Sequence, residues 1–150
     1  MIKLDSVLFA TDFSADAEYA LDYAASLAQL FKAKLYMLHV IADPADGLYG
    51  HLHGEYPALV AGAKKKATEL MARYEAMVKD VANREVILKE GDPTYEIAKT
   101  ANEKDVGAIV VGSHGHSALG HLLLGDTSSK LVERTQHPIF VVRHPDRRKG

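Results

Sequence analysis

The feature that most restricts how this chain can fold is an alternation of short apolar runs with segments whose apolar residues recur at helical spacing. Five runs, at residues 4–10 (LDSVLFA), 34–41 (KLYMLHVI), 84–89 (REVILK), 106–112 (VGAIVVG) and 138–143 (PIFVVR), read as strands. The fourth is apolar almost throughout, as expected for a strand covered on both faces. After the first run, Ser14 is a good helix cap, and Asp16 and Glu18 suit the positive end of the dipole. Ala17, Ala20, Leu21, Ala24, Leu27, Ala28 and Phe31 then repeat on one face. A longer helix is expected over residues 57–81, with Leu59, Ala63, Leu70, Tyr74, Met77 and Val81 as its stripe. Gly91, Asp92 and Pro93 supply a turn, a cap and a first-turn proline for a helix ending near residue 103, and a short helix is expected over 127–135.

Strands alternating with helices imply right-handed crossovers and a mainly parallel sheet with helices on both faces, an α/β fold. Ligands of such open sheets bind beyond the carboxyl ends of the strands, where the strand order reverses. Thr11 and Asp12 lie just past one such end, and residues 112–115 just past another. With 150 residues, 47% hydrophobic and 25% charged, the chain reads as one folded domain over residues 1–150, with 146–150 as a polar tail. Pro44, Gly47, Gly50, Gly54 and Pro57 mark a loop after the second strand.

A formal charge of −2 with interspersed signs gives no field that would recruit nucleic acid or an acidic membrane. Zero cysteines exclude disulfides, thiolate zinc sites and thiol catalysis within the chain. The apolar run near the start is too short for a signal peptide or a membrane span, so a cytoplasmic location is the expectation. Lys64, Lys65 and Lys66 read as a solvated helix face.

Residues 112–129, GSHGHSALGHLLLGDTSS, concentrate four glycines and three histidines between the fourth strand and the last helix. Gly112 and Gly115 allow backbone amides to approach a ligand closely, and Gly125 precedes a helix whose first amides, around Asp126, Thr127 and Ser128, lack intrahelical acceptors. Such amides, with the dipole behind them, form an anion site to which Thr127, Ser128 and Ser129 add hydroxyls. The bland alternative for the glycines is turns and close packing without a ligand, and for Thr127 and Ser128 simple capping is equally compatible.

The spacing Gly112, Gly115, Gly125 resembles the G-x2-G-x9-G signature, followed by Ser or Thr, of ATP-binding universal stress proteins. Length, element order, the stretch Thr11-Asp12-Phe13-Ser14 and the final PIFVVR extend the resemblance along nearly the whole chain. It implies a Rossmann-like, five-stranded sheet of order 3-2-1-4-5. It also implies that Asp12, with Ala10 and Thr11 around it, lies near the ribose, phosphates or metal ion, and that Val40 meets the adenine through its backbone. Gly112, Gly115 and Gly125 would line the ribose and phosphates, with His114 nearby and Thr127 and Ser128 at the terminal phosphates. ATP with Mg2+ is the implied ligand, with Asp12 as the metal's carboxylate partner. A homodimer through the last strand, Ile139–Val142, is the implied assembly.

One residue departs from the pattern: Asp126 stands where the family has Ser or Thr. Two unit charges about 4 Å apart repel by roughly 4 kcal/mol at an effective dielectric of about 20, enough to erase a micromolar affinity unless Asp126 points away, caps the helix or holds the magnesium. The histidine pairs at 51 and 53 and at 114 and 116, with His121, are imidazoles in loops without helical ligand spacing, so zinc is not the expected ligand. His39, among apolar residues, reads as a hydrogen-bonded core or edge histidine. Ser113 and Ser117 have histidine neighbours but no third group to orient a base, so a dedicated enzyme is not expected. The rival readings are a nucleotide-free stress module acting through dimerisation and partner binding, and a slow ATPase or autophosphorylating protein.

Overall fold

The computed structural model describes residues 1–42, 56–113 and 126–146. The expected order of elements is observed: β1 (Ser6–Thr11), α1 (Ala15–Phe31), β2 (Lys34–Ala42), α2 (Tyr56–Met77), β3 (Arg84–Gly91), α3 (Pro93–Lys104), β4 (Ala108–Gly112), α4 (Asp126–Arg134) and β5 (Ile139–Val142). The strands form one sheet in the order β3-β2-β1-β4-β5, and every pairing is parallel. The order therefore reverses between β1 and β4.

The sequence chemistry explains each helix end. The Ser14 side chain accepts from the Ala17 amide at 3.2 Å to start α1, and Lys32 in the left-handed region ends it. Asp92 accepts from the Tyr95 amide at 2.8 Å, with Pro93 following, to start α3, and Asp105 closes it in the same left-handed conformation.

All of β1 is buried, because both faces of the sheet are covered. On one face Val7, Phe9, Leu35, Met37 and Val110 pack with the apolar stripe of α1 and with Met71, Tyr74 and Val78 around α2. On the other, Leu8, Ala10, Leu38, Val40 and Ile109 pack with Ile97 and Ala101 of α3 and Leu131 of α4.

The stripe of α2 differs from expectation. Ala67, Met71 and Tyr74 of the helix, with Val78 just beyond it, face the core, whereas Leu59, Ala63 and Met77 are exposed and Leu70 is half-buried. The helix stops at Met77 instead of 81, and Val81 is buried in the turn that follows. The face is set by Tyr74, whose ring lies 6.3 Å from Phe9 and 5.6 Å from Phe13, so spacings of four, three and four residues turn Met71 inward and Leu70 to the flank. The three lysines at 64 to 66 are exposed, and Lys64 pairs with Glu90 at 2.7 Å.

Replacing Met71 with Ala is expected to cost about 2–4 kcal/mol in urea unfolding, against less than about 0.5 kcal/mol for Met77→Ala. Equal losses would contradict this assignment of the face.

Candidate functional site

The end of β1 turns into α1 through a chain of side-chain caps. Thr11 Oγ1 accepts from the Phe13 amide at 2.9 Å, and Asp12 Oδ1 accepts from the Ser14 amide at 2.9 Å. These bonds hold Phe13 at φ 63°, a left-handed conformation that is costly for a bulky side chain. Its ring is wedged against His39, with centroids 4.3 Å apart, and against Tyr74. Burial pushes the Tyr74 phenol up, opposed by the neighbouring Thr11 hydroxyl.

His39 lies level with Thr11 in the β1–β2 register, and its Nδ1 is 2.7 Å from the Thr11 carbonyl. That oxygen can only accept, so Nδ1 carries the proton and Nε2 is the lone-pair nitrogen of the neutral ring. Burial lowers the His39 pKa from its ordinary 6.5, against the opposing pull of the Thr11 carbonyl and the Asp12 charge. The sequence reading of a hydrogen-bonded histidine is thus given a definite partner.

The end of β4 is packed directly on α1. A Cβ on Gly112 would lie 2.8 Å from the Ala17 nitrogen and 2.8 Å from the Asp16 carbonyl carbon. Gly112 therefore has a packing reason to be glycine, independent of any ligand. The next residue, Ser113, is 0% exposed and donates its amide to the Val142 carbonyl at 2.8 Å. Its hydroxyl donates to Asp16 Oδ2 at 3.1 Å, and Asp16 is only 3% exposed.

The last helix begins at Asp126, one residue before the expected start, so the amides of 126, 127 and 128 are the first of α4. Ser128 is 5% exposed, and its hydroxyl donates to the Gly112 carbonyl at 2.7 Å. Its one proton is committed to β4 in this arrangement, while Thr127 beside it is half-buried.

Extending the β1–β4 register (Phe9 opposite Val110) by two residues sets Thr11 level with Gly112, and extending β1–β2 by one sets Asp12 level with Val40. Thr11, Asp12, Val40, Gly112 and the start of α4 thus converge on the carboxyl edge at the reversal point. Ala10 and Val40 share the face packed by α3 and α4, whereas Thr11 and His39 lie on the α1 and α2 face. His114, Gly115 and Gly125, and the histidines at 51, 53, 116 and 121, lie outside the described residues, as does the side chain of Asp126.

The sequence reading missed the Asp16–Ser113 pair. It treated Asp16 only as a dipole partner, yet Asp16 falls four residues before Ala20 and so on the buried stripe of α1. Among the described residues no group of three or more His, Cys, Asp and Glu side chains could hold a metal ion. Among the described residues Asp12 brings one carboxylate to the edge, its Oδ1 accepting from the Ser14 amide, a donor set too small for an all-protein metal cage.

A doubly wound parallel sheet with polar turns and a helix start gathered at its reversal point defines an α/β fold of the class whose ligands enter at that point. The model of the universal stress protein family matches residues 3–143, and the chain belongs to that family. It is 31% identical to the universal stress protein YxiE of Bacillus subtilis, covering 93% of this chain and 99% of the relative. It is 27% identical to universal stress protein MJ0577 of Methanocaldococcus jannaschii, over 95% and 96% of the two chains. The solved structure of MJ0577 superposes with a TM-score of 0.86, covering 97% of this chain and 99% of the other. Two solved universal stress proteins with bound nucleotide share the fold at 20% identity. One is in complex with cAMP, with a TM-score of 0.68 and coverage of 95% and 98%; the other, from Archaeoglobus fulgidus, is in complex with dAMP, with a TM-score of 0.66 and coverage of 95% and 99%.

The lowered pKa of His39 has a signed consequence for stability. Above pH 6.5 both folded and unfolded forms are neutral there; as pH falls below 6.5 the unfolded chain takes up the proton first, so folding loses free energy until the folded pKa is passed. Urea unfolding between about pH 7 and pH 5 should therefore show a smaller loss of stability in His39→Gln than in the wild type. Parallel curves for the two proteins would contradict the assignment.

Proposed function

We propose that this universal stress protein binds an adenine nucleotide, ATP with Mg2+, at the carboxyl edge between β1 and β4, and acts in the cytoplasm as a signalling or stress-response switch in a homodimer. The observation that carries the reading is the convergence of the Thr11-Asp12 turn, Val40, Gly112 and the first amides of α4 at the one place where the strand order reverses. The glycine spacing that continues from Gly112 to Gly115 and Gly125, and the relatives solved with cAMP and dAMP, support adenine as the base.

In this reading the adenine lies against the Val40 backbone, and the phosphates face the start of α4. The aligned amides of residues 126 to 128 offer donors and a positive dipole end. Asp12 would hold the magnesium, whose charge would offset the repulsion between Asp126 and the phosphates. His114 lies beside the nucleotide, and Thr127 supplies the hydroxyl displaced by one residue from the family pattern. Any ATP hydrolysis or autophosphorylation is slow and incidental.

The dimer contact is β5, one of the two edge strands, on which Phe140 is 45% exposed. An apolar sheet edge needs cover, and a second copy paired across a two-fold axis supplies it.

A second reading, a nucleotide-free module working through dimerisation and partner binding, is favoured by two observations: the Ser128 proton is committed to Gly112, and an acidic residue opens α4. Calorimetric titration of nucleotide-free protein with ATP, with and without Mg2+, separates the two. Saturable binding that requires Mg2+ is the expected result. Binding by Asp126→Ser alone would establish the nucleotide-free reading, and binding by neither protein would refute the nucleotide site. In the same samples sedimentation should give a dimer, and a monomer would refute the β5 contact.

A further inference from the structure

Three hydrogen bonds from three different elements meet on two consecutive residues at the end of β4. Ser128, in the first turn of α4, holds the Gly112 carbonyl at 2.7 Å. Val142, at the end of β5, holds the Ser113 amide at 2.8 Å. Asp16, in the first turn of α1, accepts from the Ser113 hydroxyl at 3.1 Å. Both side chains of this last pair are buried, and they are separated by 97 residues of sequence. Burial removes the competition of water for this bond.

The location gives the pair its significance. Ser113 is the residue from which the glycine-rich segment departs, and Ser128 belongs to the helix that follows it. The Ser128–Gly112 bond ties the two ends of that segment to each other, and the Asp16–Ser113 bond ties the joined ends to the β1–α1 turn that carries Asp12. A carboxylate only 3% exposed needs hydrogen-bond donors within the protein, and the Ser113 hydroxyl supplies one.

We propose that Asp16 is a positioning residue for the nucleotide edge, holding the departure point of the glycine-rich segment at a fixed distance from Asp12 through its bond to Ser113. This rests on the nucleotide reading above. Asp16 touches no ligand in this account; it acts through Ser113. What matters is an acceptor oxygen at the Oδ2 position, so Asn, which retains an amide oxygen of the same reach, should substitute for Asp, and Ala should not.

The test combines two measurements on Asp16→Asn, Asp16→Ala, Ser113→Ala and the double variant Asp16→Ala/Ser113→Ala, at a temperature where all are folded. ATP titration in Mg2+ should show affinity weakened about tenfold in either alanine variant, the loss expected for one buried hydrogen bond, no further weakening in the double variant, and near wild-type affinity in Asp16→Asn. Amide exchange in the nucleotide-free protein should accelerate about tenfold at residues 112, 113 and 129–131 in the alanine variants and stay at the wild-type rate in Asp16→Asn.

Wild-type affinity and exchange in Asp16→Ala would overturn the proposal. So would equal impairment of Asp16→Asn and Asp16→Ala, which would make the charge, and not the acceptor, the important property. If even the wild type fails to bind ATP, the nucleotide reading falls, while the exchange measurement still decides whether the pair fastens the segment. Should Asp16→Ala not fold, Ser113→Ala, which removes the donor of the same bond, carries the comparison with Asp16→Asn.

Discussion

Backbone meets backbone where the first turn of α1 crosses the end of β4, and the geometry of the whole carboxyl edge follows from that contact. Only glycine fits at residue 112, because a methyl group there would come within 2.8 Å of main-chain atoms of Asp16 and Ala17. Main chain cannot swing aside as a flexible side chain can, so even one added carbon would shift α1 or bend β4, a change of the kind that costs about 1–3 kcal/mol in a packed core. The contact fixes how far the β1 turn stands from the β4 end. Around it the chain has arranged side-chain oxygens as fasteners: Thr11, Asp12 and Ser14 on the amides of the turn, Asp16 on Ser113, and Ser128 on Gly112.

This gives the edge a particular chemical character. Its rigid parts are main chain, held by short side chains, while the strain of a left-handed Phe13 is offset by aromatic packing on His39 and Tyr74. Such a frame offers a ligand amides and dipole ends in place of long basic side chains. On the proposed reading that suits a nucleotide whose base is held by strand backbone and whose phosphate charge is shared with a metal ion. On that reading Asp12 in the β1–α1 turn restricts which charge states the edge accepts, since its carboxylate repels a bare polyphosphate more than a magnesium complex of lower charge.

The parts of this picture that could be read from the sequence are those decided by local chemistry. Residues 106–112 announced a strand buried on both faces because nothing polar interrupts them, and Ser14 and Asp92 announced helix starts because their side chains outcompete water for the next amides. Strand order is a long-range property; it came from the family resemblance and not from any periodicity, and the sheet has that order. The face of α2 was misread because Leu70 and Met71 are both apolar, and only the position of Tyr74 between Phe9 and Phe13 decides which of them turns inward. At Gly112 the sequence could not choose between ligand approach and helix packing, since both require the same missing Cβ. The partners of Ser113 and Ser128 were illegible because each lies far away along the chain.

On the proposed reading a nucleotide occupies this fastened edge and no other part of the molecule. Mapping backbone amide shifts on addition of ATP and Mg2+ to isotope-labelled protein tests it most directly. Saturable changes should concentrate at Thr11, Asp12, Val40, Gly112 and the first turn of α4, with α2 and the amino ends of the strands unaffected. Changes centred elsewhere, or none at saturating nucleotide, would contradict it.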